Sequence, residues 1–327
     1  MNAIQTTLSR LTLGPVQTHA NMAVVPLYAV EASAPDYLLL DQVIAGNAGR
    51  ITEISEHGSV PELAFENLSD KRVLLVDGEQ LIGARQNRVL NISILVPAHG
   101  KLTIPVSCCE QGRWAYTGAR DFSPSESPLF ARARAAKMAG VSASMVREGS
   151  RRSDQHRVWR DIAMKSMSLE VDSGTSAMSD VYAQQQHRLE EFTGAFRAAP
   201  GQVGAVVAID GKVAGVELFD APATFARFFA KMVRSYALDA IETAPAAAAT
   251  PAAEIAEAFL ARLAAASAAT FAALGDGEDV RLAGEDVVGG ALVADGRVRH
   301  LAGFDTAGLA NDHQAWRASR VRARSRG

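Results

Sequence analysis

Residues 62–114 read ELAFENLSDKRVLLVDGEQLIGARQNRVLNISILVPAHGKLTIPVSCCEQGRW, and the alternation of apolar runs with turn residues in this stretch decides the fold class. Residues 73–76 are apolar, Asp77-Gly78 supply a tight turn, and residues 80–84 return, which predicts a first hairpin. RVLNISILV then runs to Pro97, Ala98-His99-Gly100 reverse the chain, and KLTIPVSCC comes back as a second hairpin. The polar residues gather in three places: Asp77-Gly78-Glu79, Arg85-Gln86-Asn87-Arg88, and Cys108-Cys109-Glu110-Gln111 with Arg113 and Trp114.

Antiparallel pairing turns that distribution into a location. A reversal near residues 98–99 places residues whose numbers sum to about 197 opposite each other. Asn87 then faces Glu110, Gln86 faces Gln111, and Arg88 faces Cys109. Strands have no intrinsic preference for such residues, so their convergence marks either a solvated charged edge or a polar pocket. Glu79 joins this end only if the chain folds back. A straight strand from 79 to 87 would separate them by roughly 26 Å, and Gly83 is the residue able to provide a bulge or bend. Glu79 and Glu110 are the candidates for general acid–base work, with Gln86, Asn87, Arg88, Arg113, Trp114 and Cys108 as candidate ligand-binding residues. Periodicity also puts Leu102, Ile104, Val106 and Cys108 on one strand face, which makes Cys108 a candidate core thiol.

The run GEQLIGARQNRVLNISILVPAHGKLTIPVSCCEQGRW resembles the ARG and rhodanese-phosphatase-superfamily-associated protein domain, ARG standing for ADP-ribosylglycohydrolase. GRITEISEHGSVPELAFEN and GAVVAIDGKVAGVELFDAPATF extend the resemblance over most of residues 12–305. It implies a bacterial protein associated with ADP-ribose and phosphate chemistry. By position the family-like residues are Gly78, Glu79, Gly83, Gln86, Asn87, Arg88, Cys108, Glu110, Gly112, Arg113 and Trp114. Arg85 stands where Lys is expected and Cys109 where an aliphatic residue is expected, which argues against a specialised nucleophile in the Cys pair.

The flanks fill in the architecture. MAVVPLYAV has strand composition, with Pro26 confining it to an edge or an irregular stretch. DYLLLDQVIAG reads as strand then short helix closed by Gly46, and RITEIS as a half-buried strand. His57 falls in a turn before Gly58 and is expected to be solvated. Helices are expected from about Leu129 to Arg147, from Asp154 to Leu169, and from Ser176 to Arg197. The arginines and lysine of 132–160 form either a solvated face or a phosphate-attracting rim. Residues 203–241 read as a hairpin turning at Asp210-Gly211, then a helix capped by Asp220. TAPAAAATPAA (243–253) is a low-complexity connector. An Ala-rich helix to about Leu274 and strands VRLAG, VVGGALVA and RVRHLAGF follow, the last two joined by an Asp295-Gly296 turn. Gly289-Gly290 lacks the context of a phosphate-binding loop.

The expected fold is α+β: a β-rich antiparallel core, sandwich-like or strongly twisted, with an inserted helical segment and a C-terminal ββα plus hairpin unit. Residues 1–120 carry the polar hairpin motif, and 121–200 form a helical segment packed on it. Residues 201–310 complete the same large domain, and 311–327 form a basic disordered tail. That tail holds five arginines from Ala315 onward, leaving about −8 on the rest of a chain of net charge −3.

Composition narrows function. With 48% hydrophobic and 21% charged residues, the chain is an ordinary globular protein, and its mild acidity points away from nucleic acid as a partner. No N-terminal stretch pairs a basic with an apolar region, and no run approaches roughly 18 apolar residues, so neither secretion nor a membrane span is expected. The two adjacent cysteines cannot staple a fold, which favours the cytoplasm. Neither they nor His57, His99, His156 and His187 have zinc-site spacing, so no metal and no cofactor is expected. Two functions fit. One is a pocket binding or hydrolysing an ADP-ribose-like nucleotide or phosphate ester; the alternative is a non-catalytic interaction or scaffold module. A homo-oligomer is compatible with both.

Overall fold

The computed structural model describes residues 2–31, 33–56, 58–116, 120–243 and 252–307. His57, most of the low-complexity connector and the basic tail lie outside the described residues. The expected α+β, β-rich architecture is what the chain adopts, with helices set against antiparallel sheets.

A nine-stranded sheet joins the two ends of the chain. Its order runs Leu11–Leu13, Met22–Ala29, Gln202–Ile209, Lys212–Phe219, Arg297–Asp305, Val287–Ala294, Glu278–Gly284 and Ser267–Ala272, with Gln17–His19 also on Met22–Ala29. Met22–Ala29 is therefore not an edge strand. Pro26 is tolerated because its outer side faces the break between the two short neighbours, where its carbonyl accepts Gly14 N at 2.8 Å. Helix Pro222–Ala240 buries Phe225, Phe228, Phe229, Met232, Val233 and Tyr236 against this sheet. Ala221, not Asp220, occupies its N-cap position. Asp220 instead accepts from Tyr37 Oη at 2.5 Å and from Arg299 at 2.8 Å. The Ala-rich stretch divides into helix Ala252–Ala265 and edge strand Ser267–Ala272, because the strand can pair with Glu278–Gly284.

The polar-motif region forms a six-stranded sheet in the order Phe122–Pro124, Gln80–Gly83, Arg88–Leu90, Lys101–Cys108, Glu62–Asn67, Gly49–Glu53. Its two end strands touch, so the sheet nearly closes on itself. A three-stranded sheet, Ile94–Val96, Arg72–Leu75 and Tyr37–Leu39, lies beside it. These pairings correct both expected hairpins. The Asp77-Gly78 turn forms, with Gly78 at φ +81°, yet Arg72–Leu75 pairs with Ile94–Val96 and not with Gln80–Gly83. In the second hairpin the chain leaves the sheet at Asn91–Ser93, and only Arg88–Leu90 pairs with the end of Lys101–Cys108. The register is shifted by one: Arg88 faces Cys108 and the partners' numbers sum to 196. The expected facing pairs Asn87–Glu110, Gln86–Gln111 and Arg88–Cys109 therefore do not form.

Helices Ala131–Glu148 and Gln155–Ser168 match their expected spans, while the third expected helix is broken at Gln185 into Met178–Gln184 and Gln186–Ala195. Arg134 and Lys137 are neither a solvated face nor a rim, because both are buried. In the second helix, burial pushes the Asp161 carboxyl up to about 6, against the nearby charges of Arg157, Arg160 and Arg132. A carboxyl whose folded pKa exceeds its unfolded value near 3.9 contributes stability below that value and loses it as pH rises through about 6. Asp161→Asn is thus expected to stabilise the fold at pH 7.5 by on the order of 2 kcal/mol, and by much less at pH 4. Urea denaturation at the two pH values checks this; an equal effect at both would contradict it.

Candidate functional site

The pairing register places Leu81, Arg88, Leu90, Val106, Cys108, Ile104, Leu63 and Glu53 on one face of the six-stranded sheet. Arg88 and Glu53 are its two charged members; the rest are buried apolar side chains and the Cys108 thiol. Arg88 is 0% exposed. Its Nη1 donates to Gln86 Oε1 at 3.1 Å and to the Asn87 carbonyl at 3.4 Å. Its Nε and Nη2 meet no acceptor among the described residues. Burial drives the pKa of Arg88 down, opposed by Cys108 and Glu53 nearby. Both oxygens of Glu53 are shielded from solvent and accept no hydrogen bond among the described residues. Glu53 is thus within electrostatic reach of Arg88 without being paired to it.

Aromatic rings and a second guanidinium close around these groups. A Cβ built on Gly58 would lie 3.1 Å from Arg85 Cδ, 3.2 Å from Glu53 Oε2 and 3.3 Å from Trp114 Cζ2, so the three converge on one point. Arg85 sits 5.7 Å from the Trp114 centroid and 4.7 Å from that of Tyr116, and Arg88 sits 5.6 Å from Trp114. Trp114 and Tyr116 remain 43% and 37% exposed. Below them, Gln155 grips Cys108 from both sides, accepting its N–H at 2.7 Å and donating to its carbonyl at 2.8 Å. Burial pushes the Cys108 and Cys109 thiols above their ordinary range, so neither is an ionised nucleophile.

Glu110 is fully engaged. Its Oε2 accepts from Asn87 N at 3.1 Å and pairs with Arg113 at 2.6 Å, while Oε1 accepts from Thr175 Oγ1 at 3.0 Å. Burial raises its pKa, but the Arg113 and Asn87 bonds outweigh that and hold the carboxyl below its ordinary value. Arg113 also donates to Asn87 Oδ1 at 3.2 Å and to the Ala84 carbonyl at 2.7 Å. Gln86 donates to the Glu110 carbonyl at 3.0 Å. Gln86, Asn87, Arg88, Cys108, Glu110 and Arg113 are therefore one connected cluster, with Trp114 stacked on it. The chain does fold back at Gly83, whose φ is +137°, and Gln80 pairs with Val89. Even so, Glu79 lies opposite Leu90, with Leu90 N donating to the Glu79 carbonyl at 3.0 Å, about four residues or roughly 13 Å along the ladder from Gln86. Its carboxylate pairs with Lys231 at 2.8 Å and accepts from Val76 N at 3.0 Å. The two candidate acid–base residues do not share partners.

Glu79 adjoins a deeper charged network. Lys137 Nζ donates to Asp77 Oδ2 and to the Leu90 and Asn91 carbonyls, each at 2.9 Å. Asp77 N donates to Ser93 Oγ at 2.9 Å, Ser93 Oγ bonds His300 Nδ1 at 2.7 Å, and His300 Nε2 bonds Glu217 Oε2 at 3.1 Å. Arg134 pairs with Glu217 and approaches Asp77 at 3.6 Å. Among the described residues no group of three or more His, Cys, Asp or Glu is arranged to hold a metal ion, and no helix is long and apolar enough to cross a membrane.

A model of the ARPP-1 family, the ARG and Rhodanese-Phosphatase-superfamily-associated Protein domain, matches residues 10–304. The chain belongs to this family. No curated protein and no solved structure matches it. In this ARPP-1 domain, sequence reasoning missed Glu53, Gln155 and the network of Ser93, Glu217 and His300. The available signal was a charged or polar residue inside an apolar strand, as in KVAGVELF and RVRHLAGF. Arg134 and Lys137 gave the helical version, since Arg134, Met138, Val141 and Met145 share one buried stripe.

Proposed function

We propose that the protein binds a phosphate-bearing small molecule, of the ADP-ribose-like nucleotide or phosphate-ester class, in the space bounded by Arg88, Arg85, Trp114 and Glu53. The observation that carries this reading is Arg88, a fully buried guanidinium whose Nε and Nη2 meet no acceptor among the described residues. Leaving such a group unpaired in a low-dielectric site costs several kcal/mol, and a phosphate offers it a bidentate partner. Trp114 and Tyr116 supply exposed rings for a planar group to stack on. Glu110, with both oxygens engaged, orients Arg113 and Asn87, and Gln86 orients Arg88. Glu79 holds Lys231. On this reading both carboxylates build the site and do not move protons.

Arg88→Met tests the idea with two opposite readouts. It removes an unpaired buried charge, so stability in denaturant is expected to hold or rise. It also removes the phosphate partner, so the affinity for AMP, ADP-ribose and pyrophosphate in calorimetry is expected to fall about 30-fold or more, roughly 2 kcal/mol. A large loss of stability would make Arg88 a structural group and sink the reading. No heat with any phosphate compound, together with a stoichiometric co-purifying protein, would favour the interaction module.

A further inference from the structure

We infer that the ligand of this site carries a free vicinal diol, as a ribonucleotide does, and that Glu53 is the residue that reads it; this rests on the phosphate-binding proposal above. Glu53 is a second charged group on the same apolar sheet face, and its position is not that of a counter-ion. It comes close enough to Arg88 to influence its ionisation, yet the two form no ion pair. Both carboxylate oxygens are shielded and lack a donor among the described residues. A carboxylate in that state needs hydrogen-bond donors in fixed positions.

The surroundings select which donors. A cationic ligand group would be repelled by Arg85 and Arg88, whose side chains stack on Trp114 beside Glu53. Neutral hydroxyls are not repelled, and two on adjacent carbons match the two oxygens of one carboxylate, the arrangement used by acidic residues that bind ribose hydroxyls. A phosphate on Arg88, a diol on Glu53 and a ring on Trp114 are the three parts of one ribonucleotide. Free phosphate or a sugar phosphate without a ring would satisfy only part of this set.

The test compares AMP, 2′-deoxy-AMP, 2′,3′-dideoxy-AMP and inorganic pyrophosphate by calorimetry on the full chain, alone and as Glu53→Gln. Wild-type protein is expected to bind AMP about tenfold or more tightly than the dideoxy compound, the equivalent of one or two hydrogen bonds to a charged group. Glu53→Gln is expected to bring AMP down toward the dideoxy affinity while leaving pyrophosphate binding within about twofold. Equal binding of AMP and its dideoxy analogue, with pyrophosphate still bound and lost on Arg88→Met, overturns the diol assignment and leaves the phosphate site standing. Failure of pyrophosphate and all nucleotides to bind overturns both. The analogue series needs no substitution, so a poorly folded Glu53 variant would not blur the outcome.

Discussion

Replacing Glu217 by alanine is expected to lower the free energy of unfolding by about 3–5 kcal/mol. Glu217 is fully buried on strand Lys212–Phe219, where one oxygen pairs with Arg134 and the other accepts from His300 at 3.1 Å. Ser93 Oγ accepts the Asp77 N–H and bonds His300 Nδ1, and the Glu217 carboxylate accepts the Nε2–H. Removing the carboxylate strands a guanidinium that is 0% exposed and leaves the imidazole N–H without an acceptor. A buried pair repays its desolvation only while both members are present. Arg134→Met combined with Glu217→Met should therefore cost less than either single change, a large coupling in a double-mutant cycle. Urea denaturation at pH 7 measures all three. A Glu217→Ala loss below about 1 kcal/mol would mean that water reaches the network, contrary to its burial.

Gly83→Val is expected to cost about 3 kcal/mol or more and to weaken the proposed ligand site with it. Backbone at φ +137° is open to glycine and strained for any β-branched residue. There is also no room: a Cβ would stand 2.5 Å from the Asp121 carbonyl oxygen and 3.3 Å from Phe122 Cα, both main-chain atoms. The Gly83 N–H donates to Asn87 Oδ1 at 3.2 Å, so distortion passes straight to the turn that presents Arg85 and Arg88. Gly194→Ala provides the contrast, since nothing lies within 4 Å of that position in helix Gln186–Ala195, and it is expected to be neutral or slightly stabilising. Similar losses at both glycines would contradict the geometry.

Local pattern carried much of the fold and part of the site. The alternation in RITEIS, the Asp210-Gly211 and Asp295-Gly296 turns, and the aromatic stripe of Pro222–Ala240 all became the elements that their residues dictate. What stayed hidden was partner choice. Nothing near Met22–Ala29 announces that Gln202–Ile209 will lie beside it, and RVLNISILV reads as one strand although Asn91 and Ser93 turn away to bind Arg151 and His300. Those two polar residues were the clue to the break, and the one-residue error in register followed from overlooking them. At the site, the clustering of Gln86, Asn87, Arg88, Glu110 and Arg113 was legible because they sit near one strand end. Glu53 was not, because the near-closure of a sheet brings it there from another strand.

Besides its φ of +81°, Gly78 is held a glycine by another element: its missing Cβ would meet Arg134 Nε at 2.5 Å and Cδ at 2.8 Å. Two positions 56 residues apart in the chain thus occupy one volume. A lineage that gains any side chain at 78 must first shorten 134, and doing so unpairs Glu217 in the core. The order of allowable steps is constrained, and across family members these sites should drift together or not at all.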